Sequence, residues 1–279
     1  MNKRLISTLV LAGFFCLCAG RAPAADGYVF GVLPFKKPAE LNEMFQPFVN
    51  YLSQALGAPV VFRSAKDYAS ANEALLGGQW DFAYLGPSLF AEINAQAPGK
   101  VRLAGALVTG GQPTFRGVVV AAEGSPIQSV ADFKGKKFAF GDRDSTLSCY
   151  VPAHMLMRAG VFDTLSEYKF LGSHDNVAMA VTRGDFDGGG LQPSVAAKYV
   201  GKGLKVVAES DPVYEHVVVI GPKVDEATAE KVRNAVLGIQ DPSICKAINK
   251  SATAFAAVKP SDYDSLKKLM DEVDARIPK

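Results

Sequence analysis

The chain has 279 residues, 48% of them hydrophobic, with 30 basic and 28 acidic side chains. A chain of this length and composition can bury a substantial core, which predicts one large or two medium-sized domains. The formal net charge of +2 depends on three basic residues within the first 24 positions, and without them 27 basic side chains face 28 acidic ones. This balance gives no reason to expect nucleic acid or a membrane surface as a partner.

Residues 1–24 have the pattern of a secretory signal. Lys3 and Arg4 form a charged start, an apolar stretch follows from Leu5 to Cys18, and Ala22-Pro23-Ala24 matches a small-residue cleavage site. The apolar stretch is too short to span a membrane. We therefore expect cleavage after residue 24 and export of the mature chain from the cytoplasm.

Two cysteines, Cys149 and Cys245, remain after that cleavage. In an oxidising compartment two cysteines can form a disulfide, but the sequence alone cannot bring them together. Free, buried thiols are the prediction that we favour.

Apolar strands alternate with amphipathic helices in the first third of the mature chain. Strands are predicted at Tyr28–Leu33, Val60–Phe62 and Phe82–Leu85, and helices at Glu40–Leu56, Ala69–Leu76 and Ser88–Gln96. Such alternation predicts an α/β fold in which a parallel sheet is covered by helices on both faces.

The alternation continues to the end of the chain. Further strands are predicted at Val101–Val108, Arg116–Ala121, Lys136–Phe140, Tyr168–Leu171, Asp187–Leu191, Leu204–Glu209 and His216–Ile220. Further helices are predicted from about Pro152 and at Asn176–Arg183, Ser194–Tyr199, Asp225–Ile239 and Asp262–Arg276.

No Pro/Ser-rich linker divides the chain, so two α/β halves are expected to be joined by extended crossings. The expected crossings are Phe115–Val118 and Glu215–Val218, because each opens an apolar run after a turn-rich segment. The division places lobe 1 at residues 25–117 and 217–279 and lobe 2 at residues 118–216.

A hydroxyl-rich turn lies between a predicted strand and a predicted helix in the segment GDRDSTLSCYVP at Gly141–Pro152. It contains Ser145, Thr146 and Ser148. Hydroxyls beside the free N–H groups of a helix start form a seat for an anion, since the helix dipole is positive there. The alternative is that one of these hydroxyls only caps the helix.

Polar side chains follow the predicted strands at two other places. Tyr68 precedes a helix, Tyr84 lies in the third strand, and His174 and Asp175 open another helix. Open α/β sheets bind ligands at the carboxyl ends of their strands. Taken singly, the tyrosines suit strand edges and the histidine suits a helix cap, but their recurrence in both halves favours a ligand site.

The residue types argue against an enzyme. The sequence contains no HExxH, CxxC, Walker or GxSxG motif, and its histidines are His154, His174 and His216. Ser145, His174 and Asp175 are triad residue types, but a triad needs its acid on the far side of the imidazole, not next to it in the chain. We expect no catalysis, cofactor or metal site, and we assign His154 and His216 to core or surface roles.

With these residues in view, the chain resembles the periplasmic phosphate/phosphite/phosphonate-binding proteins of ABC transporters. The resemblance runs from about residue 28 to about residue 269. It is carried by GVLPF at Gly31–Phe35, KDYASANEAL at Lys66–Leu75, DFAYLGPSLF at Asp81–Phe90, FGDRDST at Phe140–Thr146 and GSHDNVAMAV at Gly172–Val181.

The resemblance implies a two-lobed type II periplasmic binding protein fold with the ligand cleft between the lobes. It implies that an oxyanion is held by Tyr68, Tyr84, Ser145, Thr146 and His174, with Asp175 next to them. Leu147 and Ser148 replace a Ser and a Gly of many members, so Ser148 is a substitute donor. Family members that take aminophosphonates tend to have acidic residues soon after the strand that ends near Gln192. Here Gln192-Pro193-Ser194 follows instead, so amine-bearing phosphonates are not the expected ligands.

The expected function is that of a monomeric periplasmic binding protein. It would capture phosphite, phosphate or a phosphonate and deliver the anion to the permease of an ABC importer. A sensory subunit that reports phosphite or arsenite to a membrane histidine kinase is the main alternative, because the same fold can present its closed form to a kinase. A periplasmic hydrolase is the least favoured interpretation.

Overall fold

The computed structural model of this protein describes residues 27–278, so the predicted signal at residues 1–24 lies outside the described part. Its strands are β1 (Tyr28–Val32), β2 (Val60–Ser64), β3 (Phe82–Leu85), β4 (Arg102–Thr109), β5 (Thr114–Phe115), β6 (Val118–Ala122), β7 (Lys137–Phe140), β8 (Glu167–Phe170), β9 (Gly188–Leu191), β10 (Leu204–Glu209), β11 (Val213–Tyr214), β12 (Val217–Ile220) and β13 (Ala252–Ala256).

The α-helices of the same residues cover the faces of the sheets. They are α1 (Pro38–Leu56), α2 (Tyr68–Leu76), α3 (Pro87–Gln96), α4 (Val151–Arg158), α5 (His174–Arg183), α6 (Pro193–Tyr199), α7 (Glu226–Leu237), α8 (Pro242–Ile248) and α9 (Asp264–Asp274). Within residues 27–278 no helix combines the length and the apolar character that crossing a membrane requires.

Two sheets divide the molecule into two lobes. The six-stranded sheet of lobe 1 has the order β13-β4-β12-β3-β1-β2, and the five-stranded sheet of lobe 2 has the order β10-β6-β9-β7-β8. The chain therefore leaves lobe 1 after β4, builds lobe 2, and returns to lobe 1 with β12. This arrangement confirms the predicted two-lobed α/β fold.

A short antiparallel ribbon lies where the chain crosses between the lobes. In it β5 pairs with β11, with Phe115 opposite Val213 and Thr114 opposite Tyr214. The expected crossings at residues 115–118 and 215–218 lie at this ribbon and the strands that follow it. Two adjacent crossings of this kind act as a hinge in clamp-like proteins.

The expectation of a parallel sheet was wrong in part, since both sheets are mixed. In lobe 1, β12 is antiparallel to β3 and β4, and in lobe 2, β6 is antiparallel to β9 and β10. The reason is the double crossing. β6 and β12 each enter their lobe directly from the hinge, and each is antiparallel to both of its neighbours in the sheet. Helix α8 and strand β13 were not predicted from the sequence.

The core of lobe 1 orients β1 toward the cleft between the lobes. Phe45 and Phe48 of α1 pack on Phe30 of β1, with ring centroids 6.0 and 5.2 Å apart. All three side chains are fully buried, and burying a large apolar side chain contributes about 1.5–3 kcal/mol. This packing fixes the direction of β1, so that the loop after it enters the cleft.

Candidate functional site

A small cavity lies between the lobes, beside the hinge ribbon. Its lining comes from lobe 1, the ribbon and lobe 2, and consists of Phe35, Tyr68, Phe115, Ser145, Thr146, Leu147, His174, Gln192 and His216. The cavity volume is about 20 Å³, which is room for about one water molecule. The lobes are therefore close together, and four of the predicted site residues meet at one place.

The turn before α4 is shaped by Pro152, which has no N–H to donate. The carbonyl of Ser148 instead accepts a hydrogen bond from the N–H of Gly141 at 3.1 Å, and Thr146–Tyr150 forms a single π-helical turn that leads into α4. The N–H groups of Thr146 and Leu147 open this turn and have no acceptor within the helix. Both residues line the cavity, so the turn borders the cleft where the sequence predicts an anion seat.

The three hydroxyls of this turn have different surroundings. Ser145 lines the cavity and accepts a hydrogen bond from the N–H of Ser148 at 3.3 Å. Ser148 is fully buried, and its hydroxyl donates to the carbonyl of Gly190 at 2.5 Å, inside lobe 2. Ser148 is not among the residues that line the cavity, and its hydroxyl instead holds the turn against β9.

Thr146 connects the two lobes. Its Oγ1 accepts a hydrogen bond from the N–H of Ser88, in the first turn of α3, at 3.0 Å and donates to Ser88 Oγ, which is 2.9 Å away. Ser88 Oγ in turn donates to the carbonyl of Asp144 at 2.6 Å. The first turn of a lobe 1 helix is thus bonded to the hydroxyl-rich turn of lobe 2.

Tyr68 brings a phenol to the cavity from lobe 1. It is the first residue of α2, whose N-cap Asp67 accepts a hydrogen bond from the N–H of Ser70 at 2.8 Å. Burial, and then the nearby carboxylates of Asp142 and Asp144, raise the pKa of Tyr68 well above its usual value. The phenol therefore stays protonated and can donate a hydrogen bond.

His174 lies at the first position of α5, after the N-cap Ser173. Its Nδ1 accepts a hydrogen bond from the N–H of Gln192 at 3.1 Å, which leaves the proton of the neutral ring on Nε2. Burial, followed by the influence of His216, lowers the pKa of His174 to about 4. At neutral pH this side chain is an uncharged donor to the cavity.

His216 lines the cavity although we had assigned it to a core or surface role. It follows the ribbon, and its Nδ1 lies 2.6 Å from Oε1 of Glu215. The side chain of Glu215 is only 3% exposed, and its backbone carbonyl accepts a hydrogen bond from the hydroxyl of Tyr263 at 3.0 Å. The prediction failed because the sequence does not show that the two crossings meet at the cleft.

Tyr84 and Asp175 are near the cavity but do not line it. Tyr84 is 3% exposed and stacks on His216, with ring centroids 5.2 Å apart and an interplanar angle of 6°. Asp175 is half-exposed, lies 3.7 Å from Nζ of Lys198, and accepts a hydrogen bond from the hydroxyl of Tyr199 at 3.4 Å. Tyr84 therefore supports a residue of the cavity wall, and Asp175 lies at its outer edge.

Both cysteines are free and buried, as the sequence predicts. Cys149 is fully buried in the core rather than in the cavity, and Nη1 of Arg143 lies 3.8 Å from its sulfur. Burial raises the pKa of the Cys149 thiol to about 12. Residues 27–278 contain no cluster of His, Cys, Asp and Glu that is arranged to hold a metal ion.

Apart from His216, four lining residues were missed by the sequence analysis, namely Phe35, Phe115, Leu147 and Gln192. Three of them are apolar, and an apolar residue in a loop or a ribbon gives no signal that separates a cavity wall from ordinary packing. Gln192 is the N-cap of α6, and its role in orienting His174 depends on a contact between residues that are distant in sequence.

The cavity wall has a defined chemistry. Within residues 27–278, it contains hydroxyl groups, a phenol, imidazoles, an amide and three apolar side chains, but no lysine or arginine. Buried uncharged donors of this kind replace the water around a small anion, since every oxygen that leaves water needs a partner.

Known periplasmic binding proteins of ABC transporters are similar to this chain in sequence. Residues 30–263 match the family model described as the phosphonate periplasmic substrate-binding protein of ABC transporters. The phosphate-import protein PhnD of Mycolicibacterium smegmatis is 28% identical, over 91% of this chain and 90% of its own length. The phosphonates-binding periplasmic protein of Escherichia coli is 25% identical, over 83% of this chain and 73% of its own length.

The fold is shared with solved structures. PhnD1 of Prochlorococcus marinus, solved in complex with methylphosphonate, has a TM-score of 0.78 at 20% identity, covering 88% of this chain and 98% of that one. At this identity the likeness concerns the fold, which is the two-lobed type II binding protein fold. Because the family model spans most of the chain, this protein belongs to the family of phosphonate periplasmic substrate-binding proteins of ABC transporters.

Proposed function

We propose that this protein captures a small phosphorus oxyanion, either phosphite or a short alkylphosphonate, for delivery to an ABC permease. The single observation that carries the proposal is the cavity wall, in which Tyr68 of lobe 1 and Ser145, Thr146 and His174 of lobe 2 meet. The part of the chain that the structure describes adds no lysine or arginine to this wall. Family membership supports the same class of ligand. Cleavage after residue 24 releases the mature chain into the periplasm. There it works as a monomer and carries out no catalysis.

The uncharged donors are sufficient for tight binding. Hydrogen bonds to a charged group contribute about 1.5–3 kcal/mol each. The wall offers the hydroxyl of Ser145, the phenol of Tyr68, Nε2 of His174 and the N–H groups of Thr146 and Leu147. Even after the cost of ordering both partners, this set supports micromolar binding, which corresponds to about −8 kcal/mol.

The apolar part of the wall selects among phosphorus oxyanions. Phe35, Phe115 and Leu147 face the same cavity as the donors. A hydrogen or a methyl group on phosphorus suits these side chains, whereas the fourth oxygen of phosphate would lose water there without gaining a donor. We therefore propose that phosphite and methylphosphonate bind more tightly than phosphate, and that 2-aminoethylphosphonate is not preferred.

Binding is coupled to closure of the lobes. The donors come from both lobes, so the anion stabilises the closed arrangement, and the β5–β11 ribbon is the hinge. We propose that lobe 1 is formed by residues 25–117 and 217–279 and lobe 2 by residues 118–216. The closed form is then the one that the permease recognises.

A thermal-shift panel followed by calorimetric titration tests the proposal. Phosphite and methylphosphonate should raise the melting temperature, and sulfate should not, because only a ligand that binds the folded state stabilises it. Tyr68→Phe and Ser145→Ala should each weaken binding about tenfold, the loss of one hydrogen bond to a charged ligand. Tyr168→Phe is the matched control, since Tyr168 is 39% exposed and outside the cavity.

Either of two results would reject the proposal. One is an unchanged melting temperature with all the phosphorus oxyanions at millimolar concentration. The other is equal affinity for the anion in the Tyr68→Phe variant, the Ser145→Ala variant and the Tyr168→Phe control.

A further inference from the structure

We infer that His216, held by Glu215, shares one proton with the bound oxyanion, so that the closed complex contains one proton between Nε2 of His216 and an oxygen of the ligand. This inference rests on the function proposed above and adds a specificity-determining residue to it. It also names the protonation state of the ligand that the site accepts.

The first observation is the pairing of the ring with a buried carboxylate. Oε1 of Glu215 lies 2.6 Å from Nδ1 of His216 and accepts the backbone N–H of His216 at 3.2 Å. An ionised carboxylate only accepts hydrogen bonds, so Nδ1 must carry a hydrogen. The ring nitrogen that remains for a ligand is Nε2, which accepts when the ring is neutral and donates when it is protonated.

The second observation is that the ring is held in place. Tyr84 stacks on the imidazole at 5.2 Å, Phe115 meets it edge-on at 5.4 Å, and the ring centroid of Phe35 is 6.2 Å away. Together with the bond to Glu215, these contacts hold the ring in one orientation. His216 therefore meets the ligand with a fixed atom.

The third observation is the charge behind the ring. Glu215 is 3% exposed, its Oε2 has no hydrogen-bond partner among residues 27–278, and within the same residues its ion pair is with His216. A dianion in the cavity would face this carboxylate across a neutral ring, with Nε2 and a ligand oxygen both acting as acceptors. One proton between these two atoms removes the repulsion and makes a charge-assisted hydrogen bond.

The proton balance follows from this geometry. A monoanionic ligand brings the proton on its own oxygen and donates it to Nε2. A dianionic ligand arrives without it, so the proton is taken from solution, either onto Nε2 or onto the ligand oxygen. The final complex is the same in both cases, and the difference appears as proton uptake on binding.

The other titratable groups around the imidazole do not take up this proton. From α5, His174 has a pKa lowered to about 4 and stays neutral above pH 6. The phenols of Tyr84 from β3, Tyr68 from α2 and Tyr263 from the segment before α9 have raised pKa values and keep their protons. The carboxyl groups of Asp142 and Asp144 raise the pKa of Tyr68, and that of Asp175 acts on His174. Burial raises the pKa of Asp142 itself.

Calorimetric titration with methylphosphonate tests the inference, carried out at about pH 8.5 in two buffers that differ in ionisation enthalpy. The wild-type chain should take up about one proton per bound dianion. His216→Gln should still bind, more weakly, because the amide can donate a hydrogen bond, but it should take up less than about a third of a proton. Glu215→Gln should also lower the uptake, since the charge that favours the proton is gone.

His154→Gln is the matched control. His154 forms the other pair of this kind, with Nε2 3.1 Å from Oε2 of Glu272, and it does not line the cavity. This variant should take up as much proton as the wild-type chain. Wild-type binding without proton uptake would overturn the inference, and so would an uptake that is unchanged in His216→Gln.

A failure of the proposed function gives a different result. In that case methylphosphonate, phosphite and phosphate would produce no binding heat at all, and both proposals would fall together. If His216→Gln does not fold, as judged by its melting curve, the wild-type titration and Glu215→Gln still decide the question.

Discussion

Thr146 of lobe 2 and Ser88 of lobe 1 hold each other by two hydrogen bonds across the cleft. Thr146 Oγ1 is 3.0 Å from the N–H of Ser88 and 2.9 Å from its hydroxyl. Ser88 is 1% exposed and Thr146 is 5% exposed, so the pair is buried in the closed molecule. The residue that the sequence predicts as an anion ligand therefore also joins the lobes.

Thr146→Val tests this second role. Valine keeps the shape of threonine but leaves the N–H of Ser88 buried without an acceptor, which costs about 1–3 kcal/mol. Because the pair exists only when the lobes are closed, we expect the affinity for methylphosphonate to fall about tenfold or more. Calorimetric titration measures the loss.

Ser88→Ala distinguishes closure from direct contact with the ligand. Ser88 is not part of the cavity wall, yet we expect it to lower the affinity and to show coupling with Thr146→Val in a double-mutant cycle. Wild-type affinity in Ser88→Ala would mean that Thr146 acts on the anion alone.

The neutral state of His174 predicts a pH dependence of stability. Its pKa is lowered from 6.5 to about 4 by burial, and by His216 in second place. Between these two values the unfolded chain binds a proton that the folded chain does not bind. Stability should therefore decrease as the pH falls from about 6.5 to about 4, and level off below.

His174→Gln should remove this part of the pH dependence. We expect the wild-type free energy of unfolding to fall by roughly 1–2 kcal/mol more than that of the variant between about pH 7 and about pH 4.5. Denaturant melts at the two pH values measure the difference. Equal losses in the two proteins would show that His174 is not buried as a neutral ring.

Patterns in the sequence predicted the fold better than they predicted the cavity. The helix α1 has strong periodicity and the strand β3 is a continuous apolar run, and their observed bounds differ from the predicted ones by two residues at most. The β13 strand was missed because Ala252–Ala256 is a short edge strand with little alternation. Its existence depends on pairing with β4, which is more than 140 residues away in the chain.

Single residues of the cavity could also be predicted only where the local sequence contains a signal. The segment at Ser145 and Thr146 was recognisable because a strand, hydroxyls and a helix follow each other within one stretch. His216 reaches the cavity because it follows the hinge ribbon, and Gln192 because its N–H bonds to His174. Neither relationship leaves a signal in the sequence around the residue. The contact of Tyr84 with His216 likewise depends on the pairing of β3 with β12, which joins residues more than 130 positions apart in the chain.

The Arg143 side chain ties the last helix to lobe 2, which predicts an effect on stability. Its Nη2 donates to Asp274 at 2.7 Å and to the carbonyl of Ile277, and its guanidinium lies 5.1 Å from the ring centroid of Tyr150. Helix α9 also packs on α3 of lobe 1. Arg143→Met should cost about 1–3 kcal/mol, because the buried carbonyl loses a charged donor.

The matched control for Arg143→Met is Arg276→Gln. Arg276 pairs with Asp163 on the surface, where both side chains are more than half exposed, and such pairs contribute about 1 kcal/mol or less. Thermal unfolding of both variants should therefore show the larger loss for Arg143→Met. Equal melting temperatures would mean that the tie to α9 adds nothing.

The burial of both thiols predicts how they react with a disulfide reagent. Cys149 and Cys245 are both fully buried, and burial raises the pKa of Cys149 to about 12 and that of Cys245 above its usual value. Since the thiolate is the reactive form, neither should react with a disulfide reagent in the folded mature chain. Both should react in denaturant, and one fast native thiol would contradict the structure.

The central claim is that a small anion is bound between the lobes by uncharged donors, and a crystal structure with methylphosphonate tests it most directly. We predict that the phosphonate oxygens lie within about 3.2 Å of Ser145 Oγ, the phenol of Tyr68 and Nε2 of His174, with the methyl group toward Phe115. A phosphonate bound outside the cavity, or held there by a lysine or arginine side chain, would contradict the account.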